Sequence, residues 1–146
     1  MNKAAAPFTW PVRVYWEDTD AGGIVFYANY LKFFERARTE WLRHLGVEQQ
    51  TLRDTVGGMF VVSDTQVRYH RPARLDDLLL VTACVQEAGR ASLTIQQTAR
   101  LKPHEAGEPP VLLCEGTIRI GWVDAAKLRP QRIPDVVLQA LCVQPT

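Results

Sequence analysis

The sequence predicts an α+β fold in which one five-stranded antiparallel sheet wraps around a single long helix. Residues 28–45 carry an apolar stripe with helical spacing that is rich in aromatic rings. An alternating segment precedes this stripe, and four runs rich in β-branched and aromatic residues follow the glycine pair at 57 and 58. A lone helix with a broad aromatic face needs a concave apolar surface, and a curved sheet provides one.

The first strand is predicted at residues 11–18, where apolar and polar residues alternate. Val12, Val14 and Trp16 are expected to point to one side, towards the interior. The segment ends at residues 20–23, Asp-Ala-Gly-Gly, which favour a turn.

The long helix is predicted over residues 28–45. Asn29 is its candidate N-cap and Gly46 its candidate C-cap. The polar residues lie mostly away from the apolar stripe, so one face is expected to be buried. The stripe consists of Tyr30, Phe33, Phe34, Ala37, Trp41 and Leu45.

Four further strands are predicted, separated by turn signals. Gly89 and Arg90 favour a tight hairpin, and residues 103–110 a longer loop. Strands joined in this way can pair antiparallel through hairpins, and the exposed edges of such a sheet favour dimerisation by edge pairing. The predicted strands are residues 59–70, 78–88, 91–101 and 111–123, and short helices are predicted at 47–54 and 134–142.

Composition is typical of one globular domain spanning residues 1–146, because 47% of the residues are hydrophobic. Lys and Arg number 17 and Asp and Glu number 16, so the overall charge gives no argument for a nucleic-acid surface. Cys84, Cys114 and Cys142 have no CxxC spacing, which favours reduced thiols over a disulfide framework or a zinc site. Cys84 and Cys114 lie in apolar runs and are expected in the core.

The N-terminal segment, residues 1–11, has one Lys and no apolar h-region, so no secretory signal is predicted. No apolar run approaches the roughly 18 residues that a membrane span needs. We therefore expect a cytoplasmic protein without a membrane span.

Residues 15–30 are the most informative stretch for function, because they combine three carboxylates, two glycines and the start of the helix. Glycines let backbone N–H groups approach a ligand closely, and a helix N-terminus favours a developing oxyanion. A carboxylate within reach could attack a carbonyl or activate water. The same residue types also form ordinary surface turns, so both interpretations stay open at this point. Calcium binding is less favoured, since EF-hand spacing is absent.

The segment 14–43, VYWEDTDAGGIVFYANYLKFFERARTEWLR, resembles the 4-hydroxybenzoyl-CoA thioesterase family of hotdog proteins. It is most similar to the branch associated with the Tol-Pal cell-envelope system. Residues 68–77 (RYHRPARLDD) and 127–134 (KLRPQRIP) continue the resemblance, which covers nearly the whole chain in order. It implies a hotdog fold and hydrolysis of acyl-CoA thioesters, with acyl carrier protein as an alternative thioester carrier.

The resemblance implies that Asp20, the second Asp of the run Asp-Thr-Asp-Ala-Gly-Gly, is the catalytic carboxylate. It would act either as a nucleophile through a mixed anhydride or as a general base for water. Backbone N–H groups within residues 24–28 would polarise the thioester carbonyl. The substrate-binding residues implied around this turn are Gly22, Gly23, Ile24 and Val25.

Two positions depart from the Tol-Pal-associated branch. A histidine often stands seven residues past the catalytic Asp, where this chain has Tyr27, so no imidazole role is expected. Tyr27 is expected to contribute through its backbone N–H or through its ring edge against the acyl group. Trp16 stands where the branch often has Tyr, which argues against a role for a phenol there. Asp18 and Glu17 are expected to orient the turn or to face water.

Basic residues at loop and strand ends are candidates for the phosphates of coenzyme A. The family contacts the nucleotide or pantetheine at the hairpin that carries Arg90 and Ser92 in this chain. For any one of these residues a solvated face is an equally good interpretation. Further candidates are Arg68, Arg71, Lys127 and Arg129.

Other functions remain to be weighed against the thioesterase. A hotdog dehydratase needs a His paired with an acid, but His44, His70 and His104 all lie outside residues 15–30. The sequence also allows a non-catalytic binding or scaffold protein of the cell-envelope or phospholipid-synthesis machinery. Asp20 distinguishes the two functions, because a binding module has no need of a catalytic carboxylate. No metal or organic cofactor is expected, since the sequence has no ligand cluster. The family habit of building each site between two subunits predicts a homodimer or homotetramer, and the acyl group stays open.

Overall fold

The computed structural model describes residues 7–145, and it contains a five-stranded antiparallel sheet with a long helix packed against it. The predicted α+β class is therefore confirmed. The strands are β1 (Phe8–Arg13), β2 (Gly58–Tyr69), β3 (Leu78–Ala88), β4 (Ser92–Leu101) and β5 (Val111–Asp124), and the helices are α1 (Tyr30–His44), α2 (Gln49–Thr55) and α3 (Asp135–Ala140).

β2 does not pair with β3, its neighbour in sequence. The strand order is β1-β3-β4-β5-β2, so β2 lies beside β5 at one edge and β1 beside β3 at the other. The predicted pairing through hairpins is confirmed for β3–β4 and β4–β5, but it is wrong for β2, which does not pair with β3. The connection over residues 70–77 instead bonds to the chain before α1, where the N–H of Val14 donates to Asp77 and the N–H of Val25 donates to Ala73, each at 2.9 Å.

β1 begins earlier and ends earlier than the predicted strand over residues 11–18. Val12 and Val14 are buried as expected, but Trp16 is 79% exposed. The reason is a short 3₁₀ turn over Trp16–Asp18, which interrupts the alternation of the strand. The turn is closed by the Asp18 carboxylate, which accepts the N–H of Tyr15 at 2.8 Å.

The apolar face of α1 forms the centre of the core. Phe33, Phe34 and Ala37 are fully buried, whereas Trp41 and Leu45 are half-buried at the end of the stripe. A 3₁₀ turn over Tyr27–Asn29 leads into the helix, so the predicted range is confirmed apart from its ends.

The two predicted caps of α1 behave differently. Gly46 follows the last turn with a φ of +84°, a conformation that favours glycine, as predicted. Asn29 makes no side-chain cap. Its Nδ2 donates instead to the carbonyl oxygen of Asp18 at 2.9 Å, which ties the start of the helix to the preceding turn.

A polar seam crosses the core between α1 and the sheet. The side chain of Gln97 on β4 is fully buried, and its Nε2 donates to the carbonyl oxygens of Phe34 at 3.0 Å and Thr82 at 3.2 Å. Its Oε1 accepts from the guanidinium of Arg38 at 2.8 Å, and burial lowers the pKa of Arg38. Because a shift of the helix would leave these buried groups unpaired, the seam fixes the register of α1 on the sheet.

The three cysteines are free thiols in different environments. Cys114 is fully buried, and burial, with a contribution from Glu115, raises the pKa of its thiol to about 12. Cys84 is only half-buried, contrary to the expectation of a core position, because the alternation along β3 turns Ala83 inward instead. Cys142 is exposed.

We predict that a thiol reagent at neutral pH labels Cys142 quickly, Cys84 slowly and Cys114 only after unfolding. The thiolate is the reactive form, and both burial and the raised pKa deplete it at Cys114. Labelling followed by mass spectrometry in native and denaturing buffer measures the order. A Cys142→Ser variant should lose the fast phase alone, and rapid native labelling of Cys114 would contradict the packing.

Gly116 on β5 lets α1 approach the sheet closely. A Cβ atom at this position would lie 2.8 Å from Cε2 of Phe34 and 3.1 Å from Cδ1 of Ile118. These neighbours belong to the packed core, so they have little room to move away. The ring of Phe34 therefore rests directly on the strand backbone.

We predict that Gly116→Ala lowers the free energy of unfolding by about 1–3 kcal/mol through overpacking. Gly121→Ala on the same strand is the matched control, because a Cβ atom there meets nothing nearer than the Ala91 carbonyl oxygen at 3.8 Å. Urea denaturation of both variants measures the difference. Equal stabilities would show that the close approach of Phe34 is not a constraint.

Within residues 7–145, no helix is long and apolar enough to cross a bilayer. Residues 1–6, which form most of the segment where no secretory signal is expected, lie outside the described part of the chain, as does residue 146.

Candidate active site

A tight turn carries Asp20 to the region where α1 begins. The N–H of Asp20 donates to the carbonyl oxygen of Ile24 at 2.8 Å, and the N–H of Gly23 donates back to the carbonyl oxygen of Asp20 at 3.0 Å. Thr19 and Val25 form an isolated antiparallel bridge that closes the turn. Gly23 has a φ of +79°, so a glycine is favoured here for backbone reasons as well as for ligand access.

The Asp20 carboxylate is exposed and only partly bonded. Its Oδ1 accepts the N–H of Gly22 at 2.9 Å, which orients the group. Among residues 7–145, no hydrogen bond is made to its Oδ2. One oxygen is therefore held while the other is available to attack a carbonyl or to take a proton from water.

Asp18 has a structural position. It is buried, its carboxylate accepts the N–H of Tyr15, and its carbonyl oxygen accepts from the N–H of Phe26 at 2.9 Å and from the side chain of Asn29. This agrees with the expectation that Asp18 orients the turn, and Glu17 beside it is exposed.

The backbone N–H groups before α1 divide into bonded and unbonded ones. The N–H of Val25 donates to Ala73 and that of Phe26 to Asp18. Within the described residues, the N–H groups of Ile24, Tyr27 and Ala28 make no hydrogen bond. Tyr27 and Ala28 start a helical turn, where N–H groups have no partner within the helix and favour an anionic oxygen. The candidate oxyanion donors are thereby reduced from the predicted range 24–28 to these groups.

Tyr69 and Tyr30 hold this segment from the side, and sequence reasoning missed both roles. The hydroxyl of Tyr69, the last residue of β2, donates to the carbonyl oxygen of Tyr27 at 2.8 Å. The hydroxyl of Tyr30 accepts the N–H of Ala73 at 3.0 Å. Tyr69 stands in the stretch 68–77 that carries the resemblance, but no local pattern signals which residue its hydroxyl bonds.

The ring of Tyr27 is exposed and belongs to an aromatic cluster. Its centroid lies 4.8 Å from that of Phe26 and 6.3 Å from that of Tyr69, the latter pair edge to face. Tyr27 itself is 63% exposed. Its ring is therefore available to contact an apolar group brought near the helix start.

A groove of about 600 Å³ adjoins the turn. Asp20 is not among the residues that line it. Its walls come from the end of β1, the 3₁₀ turn and the 70–77 connection. They are Arg13, Val14, Tyr15, Trp16, Glu17, Leu75 and Asp76.

The predicted coenzyme A residues lie at the other end of the sheet. Arg90 is in the β3–β4 hairpin, where its carbonyl oxygen accepts the N–H of Ile133, and the carbonyl oxygen of Arg129 accepts the N–H of Asp124 after β5, both at 2.8 Å. The Asp20 turn instead packs on residues 73–77, beside the start of β3. Strand β4 separates the two ends, and its ten residues span about 30 Å at the usual rise. One chain therefore does not bring Arg90, Ser92, Lys127 and Arg129 together with Asp20.

The histidines offer no metal site. His70 pairs with Glu115 at 3.3 Å between Nε2 and Oε1, at the same end of the sheet as Asp20. Throughout residues 7–145, no group of three or more His, Cys, Asp or Glu side chains could hold a metal ion.

The fold and site define the class of protein as a hotdog thioester hydrolase. The family model of the thioesterase superfamily matches residues 22–108. This chain belongs to the thioesterase superfamily. The match begins two positions after Asp20, so the case for this carboxylate rests on its geometry and its sequence pattern.

Two bacterial proteins match nearly the whole chain. The acyl-CoA thioesterase YbgC of Haemophilus influenzae is 44% identical over 133 residues, which are 91% of this chain and 93% of that protein. The acyl-CoA thioester hydrolase YbgC of Escherichia coli is 41% identical over 132 residues, which are 90% of this chain and 92% of that protein.

Solved structures agree on the fold. A probable thioesterase from Bartonella henselae has a TM-score of 0.78 and 31% identity, covering 88% of this chain and 100% of that one. A 4-hydroxybenzoyl CoA thioesterase in complex with 4-hydroxybenzoyl CoA has a TM-score of 0.85 and 19% identity, covering 94% of this chain and 99% of that one. At that identity the second likeness concerns the fold alone, and it confirms the predicted hotdog architecture.

Proposed function

We propose that the chain is an acyl-CoA thioesterase that hydrolyses acyl-CoA to a carboxylic acid and free coenzyme A, with Asp20 as its catalytic carboxylate. The observation that carries this proposal is that one short segment presents a carboxylate with a free oxygen together with unbonded N–H groups at Tyr27 and Ala28. Thioester hydrolysis by a carboxylate needs both the free oxygen and donors for the oxyanion. The names of the YbgC relatives from Haemophilus influenzae and Escherichia coli support the substrate class.

In the general-base route, Asp20 takes a proton from water while the water oxygen attacks the thioester carbonyl carbon. The carbonyl oxygen becomes an oxyanion, which accepts hydrogen bonds from the N–H groups of Tyr27 and Ala28. The C–S bond then breaks, and the departing thiolate takes the proton from Asp20. The ring of Tyr27 would contact the acyl group.

In the nucleophilic route, an Asp20 oxygen attacks the carbonyl carbon, expels the thiolate and forms a mixed anhydride that water then hydrolyses. The exposed Oδ2 serves either route. Gly22 and Gly23 leave space beside the carboxylate, and Ile24 and Val25 continue the backbone along the substrate. Neither route calls on a metal or an organic cofactor.

We predict that Asp20→Asn lowers kcat by at least about a hundredfold, since the amide is neither a base nor a nucleophile. The fold should survive, because the amide oxygen can still accept the N–H of Gly22. Release of thiol from a panel of acyl-CoA esters measures the rate and also gives the acyl preference.

The control for this prediction is Asp18→Asn, whose amide can still accept the N–H of Tyr15, so it should cost far less activity. An Asp20→Asn enzyme that keeps most of its turnover would refute the catalytic assignment. Absence of thiol release by the wild type from any acyl-CoA would refute the function itself.

We infer that the complete site lies between two copies of the chain. β2 is an edge strand of twelve residues, most of them exposed. If two β2 strands pair antiparallel about a two-fold axis, the Gly58 end of one lies beside the Tyr69 end of the other.

This pairing would join the two separated halves of the site. Gly57 accepts the N–H of Ala125 at 2.9 Å, so the Gly58 end is next to the loop that carries Lys127 and Arg129. The Tyr69 end is bonded to Tyr27. Basic residues of one copy, with Arg90 and Ser92 as further candidates, would then bind the phosphates of a thioester whose carbonyl lies at Asp20 of the other.

We predict that Arg90→Ala raises KM and leaves kcat near normal, because a guanidinium on a phosphate is used equally in ground and transition states. The shared site is tested by refolding the Arg90→Ala and Asp20→Asn chains together. About half of the dimers would then be mixed, and each mixed dimer would have one site with both native residues and one with neither. Activity at substrate concentrations below KM should therefore recover to about a quarter of the wild-type value.

If each site were built from one chain, the mixture would show no more than the sum of its parts. An unchanged KM for Arg90→Ala would move the phosphate site to Lys127 or Arg129. A fully active monomer, measured by light scattering with activity at micromolar concentration, would overturn the two-copy site.

A second candidate is a thioester on acyl carrier protein, or a scaffold that binds such a carrier without catalysis. Arg68, Arg71 and Arg74 stand exposed near the Asp20 end, and within residues 7–145 none of them pairs with a carboxylate. An acidic carrier would suit this surface. The Asp20→Asn variant distinguishes the scaffold from the enzyme. A scaffold should bind the carrier equally well with and without this change, and it should release no thiol in either case.

The cellular setting follows from the substrate. We propose that the enzyme works in the cytoplasm, where it would meet an acyl-CoA substrate. The link to the Tol-Pal envelope system rests on the sequence resemblance alone.

A further inference from the structure

We propose that Tyr69 is a positioning residue for the oxyanion donors, acting through the hydrogen bond from its hydroxyl to the carbonyl oxygen of Tyr27. The distance is 2.8 Å, and the two residues are 42 positions apart in the chain. This inference rests on the proposed thioesterase activity and adds a residue that the reaction needs but the substrate does not touch.

The hydrogen bond from Tyr69 holds the peptide group between Tyr27 and Ala28, whose N–H is a candidate oxyanion donor. The carbonyl oxygen of Tyr27 belongs to the same planar unit as the N–H of Ala28. In a trans peptide these two groups point in opposite directions, so holding the oxygen on Tyr69 fixes the direction of the N–H. A carbonyl that accepts a hydrogen bond is also polarised, and its own N–H becomes a stronger donor.

Tyr69 itself is held in place. It ends β2, where it is paired in register with Cys114 of β5. Its ring centroid lies 5.6 Å from that of Tyr30 and 6.3 Å from that of Tyr27. Tyr69 is 46% exposed, and its partial burial raises its pKa, with smaller contributions from Cys114 and Tyr27, so the hydroxyl stays protonated and can donate.

The hydroxyl of Tyr69 bonds a carbonyl group at the end of a segment that is otherwise held mainly by backbone bonds. Val25 and Phe26 are bonded through their N–H groups to Ala73 and Asp18, and the N–H of Asn29 donates to the carbonyl oxygen of Phe26 at 2.8 Å. The side chain of Asn29 also bonds to Asp18. Tyr69 adds a side-chain donor to the next carbonyl, that of Tyr27, and so helps to fix the peptide that presents the N–H of Ala28, which is the preorganisation that an oxyanion site requires.

The test is Tyr69→Phe, which removes one oxygen atom and keeps the ring contacts. We expect kcat to fall by about tenfold, less than the hundredfold or more that follows removal of a whole oxyanion donor. KM should stay within about twofold, because the interaction is used in the transition state. Both constants are measured with the acyl-CoA that the wild type hydrolyses fastest, well below the unfolding temperature of each variant.

The control is Thr51→Val, which removes an exposed hydroxyl on α2 that donates to Glu48 at 3.4 Å, away from the candidate site, and should leave both constants unchanged. A Tyr69→Phe enzyme with wild-type kcat, or one whose only change is a higher KM, overturns the positioning role. If the wild type is active and Asp20→Asn is not, that failure leaves the proposed function intact. If the wild type hydrolyses no acyl-CoA, the function fails and the inference with it.

Discussion

The packing of the aromatic face of α1 onto the sheet is the interaction on which the rest of the structure depends. Phe33 and Phe34 are fully buried, and Gly116 lets the ring of Phe34 reach the backbone of β5. Burial of each ring contributes on the order of 2–3 kcal/mol, but it is not directional. The buried bonds of Gln97 to Phe34 and Arg38 add direction, since they allow one register of the helix on the strands. The start of α1 therefore has a defined place relative to the ends of β2 and β3.

The candidate site uses a segment of tight turns between β1 and α1, in which many polar backbone groups are bonded. Asp18 receives bonds on both its carboxylate and its carbonyl oxygen, and Ala73 is bonded through its N–H and its carbonyl oxygen. Within residues 7–145, the groups of this segment that make no hydrogen bond include one oxygen of Asp20 and the N–H groups of Ile24, Tyr27 and Ala28. A rigid segment with a few unsatisfied groups is the arrangement expected where charge develops during a reaction.

Sequence patterns predicted α1 and the β3, β4 and β5 strands well, because both helical spacing and strand alternation are local properties. They were wrong about β1, where the bond from Tyr15 to the Asp18 side chain ends the strand early. They were also wrong about the neighbour of β2, since alternation says which side chains are buried and not which strand lies alongside. The glycines and the helix start after residue 20 indicated a candidate site there, and the family resemblance implied Asp20 among its three carboxylates. Nothing in the sequence pointed to Tyr69, because its bond joins residues that are 42 positions apart.

The central claim is that the thioester carbonyl lies between the Asp20 carboxylate and the N–H groups of Tyr27 and Ala28. A crystal structure with a non-hydrolysable acyl-CoA ketone analogue tests it most directly. The account predicts the ketone oxygen at about 3 Å from at least one of these two nitrogens, with an Asp20 oxygen facing the carbonyl carbon. A ketone bound away from them, for example in the groove beside Trp16, would contradict it.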